Sequence, residues 1–135
     1  MQSFDYKEQN SDIFGKVLRP LIKLEVYSLT RQKWFEITDI LADSGADISL
    51  LPRDIGEALL DDITKGKLTE IKGVIPYAKL TVYIHTLRFR IDSKEFDLPV
   101  AIADSNDVLP ILGRFKGLDL FNVNFNKGKT VLLEE

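Results

Sequence analysis

The sequence contains no cysteine, one histidine, one tryptophan and one methionine among its 135 residues. Without cysteine there is no disulfide framework, no zinc-thiolate site and no thiol redox chemistry. The lone His85 completes neither a catalytic triad nor a histidine metal site, and it is assigned no role. No apolar run approaches the roughly 20 residues needed to cross a bilayer. Met1-Gln2-Ser3-Phe4-Asp5 lacks the charged start and apolar middle of a secretory leader, so the expectation is a cytoplasmic protein with no membrane partner. The formal net charge is -3, with both signs interleaved. There is no basic stripe to track phosphates, so nucleic acid is not an expected partner. Asp61-Asp62 and the pair Asp104 and Asp107 lack an ordered ligand spacing, so neither a metal nor any other cofactor is expected.

What is present is a chain of single-domain length with 44% hydrophobic residues, enough to bury a core without covalent staples. Residues 1–14 are polar and unpatterned and read as a flexible N-terminal arm, leaving 15–135 as one domain. Beyond Gly15, Leu18, Pro20, Ile22, Leu24 and Val26 fall at every second position, the period of a strand with one wet face. Thr30 to Lys33 turns the chain, and Trp34 to Leu41 reads as the returning strand. Arg53 to Ile63 has helical spacing through Ile55, Leu59 and Ile63. Leu80, Val82 and Ile84 alternate in one phase and Leu87, Phe89 and Ile91 in the other, which predicts a bulge or bend near His85-Thr86. Asp92-Ser93-Lys94 turns into Phe96, Leu98, Val100 and Ile102. A short strand is expected over Val108 to Leu112, a last helix over Arg114 to Phe121, and a hairpin turn at Asn126-Lys127-Gly128-Lys129. Many short strands with one or two short helices describe a mostly-β, barrel-like domain.

One segment stands out chemically: Ala42-Asp43-Ser44-Gly45-Ala46-Asp47, between Ile40-Leu41 and Ile48-Ser49-Leu50-Leu51. In isolation Asp-Ser-Gly reads as an ordinary turn, because Asp accepts backbone hydrogen bonds and Gly turns tightly. The same segment, at the end of a buried strand, is also how a reactive carboxylate is presented at a cleft floor. Peptide-bond cleavage by carboxylates needs two of them sharing one proton. The other Asp-X-Gly, Asp54-Ile55-Gly56, falls in the expected helix and is poorly placed to supply the second. A single Asp becomes a pair when two chains meet on a two-fold axis, which makes homodimerisation part of the chemistry.

With these residues in view, the chain resembles the retropepsin-type aspartic proteases, in their bacterial and archaeal single-domain form. Leu41-Ala42-Asp43-Ser44-Gly45-Ala46-Asp47 matches the active-site motif, with Ser where many members carry Thr. Pro110-Ile111-Leu112-Gly113-Arg114 matches the second signature, and Arg19-Pro20-Leu21 a shorter one, so the likeness runs over most of Val17 to Phe125. The resemblance implies a closed acid-protease (retropepsin-like) barrel and a homodimeric aspartic endopeptidase acting on a peptide or protein substrate. It implies that Asp43 is the catalytic aspartate, that Ser44 grips the opposite subunit's loop, and that Gly45 holds substrate backbone. Asp47 would bind substrate main chain and pair with Arg114 behind Gly113, while Arg19 would reach Asp47 of the other subunit. Leu41, Leu50, Leu109 and Ile111 would line apolar pockets, with Ile75 and Tyr77 covering the cleft from the flap.

The flap departs from the family's pattern. Many relatives have a glycine-rich tip, whereas the matching stretch here is Gly73-Val74-Ile75-Pro76-Tyr77, whose single glycine and proline predict a stiffer or differently shaped cover. The tail from Lys127 to Glu135 continues past the point where viral members end, so the dimer sheet is open to a different construction. The alternative reading is a catalytically weak or inactive retropepsin-like dimer that binds peptide or scaffolds a partner. The flap favours it; the intact Asp43-Ser44-Gly45 favours the enzyme.

Overall fold

A computed structural model describes residues 1–72 and 78–135. The flap tip at 73–77, with Ile75 and Tyr77, lies outside the described residues. In chain order come β1 (Gln2–Asp5), β2 (Lys7–Ser11), β3 (Gly15–Arg19), β4 (Leu21–Ser28), β5 (Lys33–Ala42) and β6 (Ser49–Leu51). The helix α1 (Arg53–Leu59) and a 3-10 turn (Ile63–Lys65) lead to β7 (Lys67–Lys72), β8 (Lys79–Ile91), β9 (Lys94–Ala103) and β10 (Ile111–Leu112). A second 3-10 turn (Leu118–Leu120) precedes β11 (Asn122–Asn126) and β12 (Thr130–Glu134).

Among the described residues the sheet runs β4-β5-β10-β6-β9-β8 and closes through a further β4–β8 pairing, making a six-stranded barrel with β7 added outside β8. Closure hides the backbone edges that an open sheet of this size would leave free. The periodicity explains which residues go inside. Along β4, Ile22, Leu24 and Val26 are buried while Lys23 is exposed. They meet Phe89, Leu98, Ile102 and Leu112 in one core, where Phe89 stacks on Phe96 at 6.1 Å and Phe96 meets the edge of Phe121 at 5.8 Å. No described helix is long and apolar enough to cross a membrane.

Five sequence expectations need correction. Residues 2–11 are strands, not an unpatterned arm. β1 pairs with β12, Phe4 opposite Val131, and β2 pairs with β3. Ladder hydrogen bonds come from the backbone and need no apolar alternation, and half-buried Phe4 and Tyr6 suffice to anchor the segment on the core. The bend near His85 is absent: β8 keeps unbroken register with β9 from Val82–Ala103 to Ile91–Lys94. The two alternation phases arise because each end of β8 buries a different face. Val82 packs with Ala101 and Ala103 in a small cluster, while Leu87, Phe89 and Ile91 face the main core. The bulge lies instead between β4 and β5, where Ile22–Ile40 is followed by Leu24–Ile37 and Asp39 adopts φ 58.

Helix α1 stops at Leu59, short of Ile63. Its last carbonyls are taken from outside, Leu59 O by Ser28 Oγ at 2.6 Å and Ala58 O by Arg31 Nε at 2.5 Å, while Asp62 starts a new turn by accepting from Thr64 N–H at 2.9 Å. The helix expected over Arg114 to Phe121 is a set of turns ending in 3-10 structure, with Lys116 at φ 55. The strand expected over Val108 to Leu112 is confined to Ile111–Leu112.

Candidate active site

The site is built where β10 slots between two strands of opposite sense. β10 runs parallel to β5, Ile111 opposite Leu41 and Leu112 opposite Ala42, and antiparallel to β6, Ile111 opposite Leu50. Side chains in register share a face, so this three-strand floor has two sides. Ala42, Leu112 and Leu51 are buried in the core, whereas Leu41, Ile111 and Leu50 form a half-buried apolar row on the other side.

Asp43 follows β5 directly and is half-buried. Its N–H donates to Leu112 O at 3.0 Å, so β10 pins the residue that ends β5. Its carboxylate Oδ1 accepts from Gly45 N–H at 2.9 Å, and its carbonyl accepts from Ala46 N–H at 3.2 Å, closing the loop into a tight turn. Ser44 and Gly45 are exposed at the tip. Arg114 N–H then donates to Ala46 O at 2.9 Å and Phe115 N–H to Asp47 O at 3.0 Å, tying the second signature to the first through the backbone.

Gly113 is required by this crossing. A Cβ there would lie 2.6 Å from Ile48 O and 2.9 Å from Ala46 O, below any ordinary contact. Its N–H donates to buried Ser49 Oγ at 2.9 Å. The sequence reading passed over Ser49, although a lone hydroxyl inside the run Ile48-Ser49-Leu50-Leu51 is itself a sign of a buried hydrogen bond.

The charged residues sit more loosely. Arg114 Nη2 is 3.8 Å from Asp47 Oδ1, and its Nε is 3.7 Å from Asp119, while the Asp47 side chain is 88% exposed. Arg19 and Leu109 both line a cavity of about 720 Å³ that runs along the β2–β3 ribbon past Glu8, Gln9, Asn10 and Lys16. Asp47 also rims a smaller apolar cavity of about 270 Å³ with Ile48, Ile84, Pro99 and Phe115, which the sequence reading did not gather into a site. Those four come from different strands and loops and share no sequence signal. Among the described residues no cluster of three or more His, Cys, Asp or Glu could hold a metal.

No family model matches the chain, and neither does any curated protein. Solved structures do. A retropepsin-like aspartic protease from Rickettsia conorii superposes with TM-score 0.57 and 16% identity, covering 98% of this chain and 91% of that one. The fold is retropepsin-like. EIAV protease, in complex with the inhibitor HBY-793, superposes with TM-score 0.51 and 21% identity over 71% of this chain and 82% of its own. At such identities the likeness lies in the backbone path, and in this retropepsin-like chain the two short motifs Asp43-Ser44-Gly45 and Leu112-Gly113-Arg114 occupy the strand crossing described above.

Proposed function

We propose that the protein is an aspartic endopeptidase, active as a homodimer, in which Asp43 and its symmetry mate activate a water between them. The observation that carries this reading is the placement of Asp43: it ends a barrel strand, its backbone is pinned by Leu112 O, and its carboxylate is aligned by Gly45 N–H. The retropepsin-like backbone supports a peptidase, and the absence of a second competent Asp-X-Gly calls for a second chain. In the dyad one carboxylate is ionised and the other protonated, because two adjacent like charges cannot both form. The ionised carboxylate takes a proton from water as oxygen attacks the peptide carbonyl, while the protonated one donates to the developing oxyanion. Collapse of the tetrahedral intermediate returns the oxyanion's proton to the carboxylate that gave it and breaks the C–N bond, and the leaving nitrogen takes the proton that the other carboxylate drew from water.

Leu41, Leu50, Leu109 and Ile111 serve as apolar walls for side chains beside the scissile bond, an assignment supported by the half-buried row that Leu41, Ile111 and Leu50 form. Asp47 receives substrate main chain at the cleft edge, with Arg114 orienting it. A diverse peptide pool incubated from about pH 3 to about pH 7, with and without a statine-type mimic of the tetrahedral intermediate, tests the reading. Cleavage blocked by the mimic and abolished by Asp43→Asn is the expected result. Cleavage that survives Asp43→Asn would refute it. Tight binding of the mimic with no cleavage at any pH would instead assign a peptide-binding module.

A further inference from the structure

At the end of β5 opposite Asp43, the described residues enclose a separate cavity of about 540 Å³. β5 runs from Lys33 to Ala42, which sets Trp34 about 25–30 Å from the Asp43 turn. Strand register builds the cavity. Trp34 lies opposite Tyr27, Tyr27 opposite Arg88 and Arg88 opposite Asp97, so β5, β4, β8 and β9 set two aromatic rings and an ion pair side by side. Tyr27 and Trp34 meet edge to face at 5.3 Å. Leu60 and Leu87 extend the apolar wall, and Leu29 lines it while 83% exposed. The turn that carries Leu29 is tied to the end of α1 by Ser28 Oγ to Leu59 O and by Arg31 Nε to Ala58 O, so the wall is in place before a ligand arrives. A concave apolar wall with a few polar groups on one side is the form that small-molecule sites take.

The polar groups define what fits. Arg88 Nη1 is 3.1 Å from Asp97 Oδ1, and its Nε is 3.9 Å from Glu95 Oε1. One guanidinium therefore serves two carboxylates, and the lining is left with an excess negative charge. Neighbouring cations are engaged elsewhere: Arg90 is held by Glu25 at 3.0 and 3.1 Å, Lys33 lies over the Phe35 ring at 4.9 Å, and Arg31 is spent on helix carbonyls. Trp34 already takes the Arg90 guanidinium on its ring at 4.0 Å, and Tyr27 beside it offers a second ring. Ring faces and carboxylates both favour a cation, while the leucines favour a hydrocarbon body. We propose that this cavity binds a small amphipathic amine, its ammonium group among Glu95, Asp97 and the Tyr27 ring and its apolar body against Leu29, Leu60 and Leu87. The site lies apart from the cleft and does not depend on the catalytic reading of Asp43.

Trp34 is the one tryptophan of the chain and lines the cavity, so its fluorescence reads occupancy directly. The full chain is titrated at neutral pH with phenylbutylamine and with its uncharged and anionic counterparts, phenylbutanol and phenylbutanoate. A saturable change in Trp34 emission is expected with the amine, at an affinity at least about 10-fold above the alcohol, the worth of one charge-assisted hydrogen bond. The melting temperature should rise with amine concentration. Glu95→Gln combined with Asp97→Asn should erase the amine's advantage over the alcohol, and Leu29→Ser should weaken both ligands about 3- to 10-fold. All three positions are exposed, so the circular dichroism spectrum should not change. An alcohol or carboxylate that binds as tightly as the amine would overturn the choice of a cation. Amine binding untouched by Leu29→Ser and by the paired acid changes would overturn the choice of cavity. No saturable change in emission, together with no rise in melting temperature, would overturn the site itself.

Discussion

Asp43 is one carboxylate among many in an acidic chain, and its sequence neighbours alone leave it an ordinary turn residue. What separates it is the backbone beneath it. The Leu112 carbonyl holds its N–H, and the Gly45 N–H fixes one carboxylate oxygen. Asp43→Asn keeps the shape and the acceptor oxygen but removes the ionisable group, so peptide cleavage should fall at least about 100-fold with the melting temperature nearly unchanged. Gly113 makes a separate prediction about stability. Gly113→Ala drives a methyl into the Ile48 and Ala46 carbonyls, which are backbone and cannot swing aside. A loss of about 2–3 kcal/mol in urea unfolding is expected. Ser49→Ala removes the acceptor for the Gly113 N–H in a buried setting and should cost about 1–3 kcal/mol by the same measurement. Both changes weaken the floor under Asp43, so the activity they lose should track the stability they lose.

At the scale of elements, alternation marked β4 and the first half of β9, where Ile22, Leu24 and Val26, and then Phe96, Leu98 and Val100, are buried at every second position. It misled at β8, where two faces are buried in succession and a straight strand imitates a slipped one. It was silent on β1 and β2, whose place depends on strands more than 100 residues away for β1 and on a local ribbon for β2. Turn chemistry was more dependable. The turn from β11 to β12 has Lys127 at φ 50 and Gly128 at φ 70, closed by Lys129 N–H to Asn126 O at 2.9 Å. Nothing lies within 4 Å of a Cβ placed on Gly128, so its substitution tests backbone conformation alone. Gly128→Ala should destabilise by about 1 kcal/mol, read from the denaturation midpoint.

For the molecule as a whole, the proposed homodimeric site would make activity a property of the assembly. Specific activity should fall on dilution through the dimer dissociation constant, and an Asp43→Asn chain added in excess should poison wild type by forming mixed dimers. Acid also acts on the barrel. Glu25 on β4 holds the guanidinium of Arg90 on β8 at 3.0 and 3.1 Å, across the pairing that closes the barrel. The Arg90 hydrogen bonds hold the Glu25 carboxyl below its ordinary value, outweighing burial. A depressed carboxylate contributes stability above its unfolded value and loses it as pH falls through the folded one. The stability gap between wild type and Glu25→Gln should therefore be widest near neutral pH and close below about pH 4. Trp34 lies 4.0 Å under the Arg90 guanidinium and reports the change by fluorescence. By itself, the sequence determined the strand-rich class, the Asp43 turn and the partner signature at Gly113-Arg114, since local period and short motifs depend only on near neighbours. Only the tertiary structure decided that β10 lies between β5 and β6, that Ser49 supports Gly113, and that residues 2–11 are strands. Those outcomes rest on hydrogen bonds and contacts between segments far apart in the chain, which no local pattern encodes.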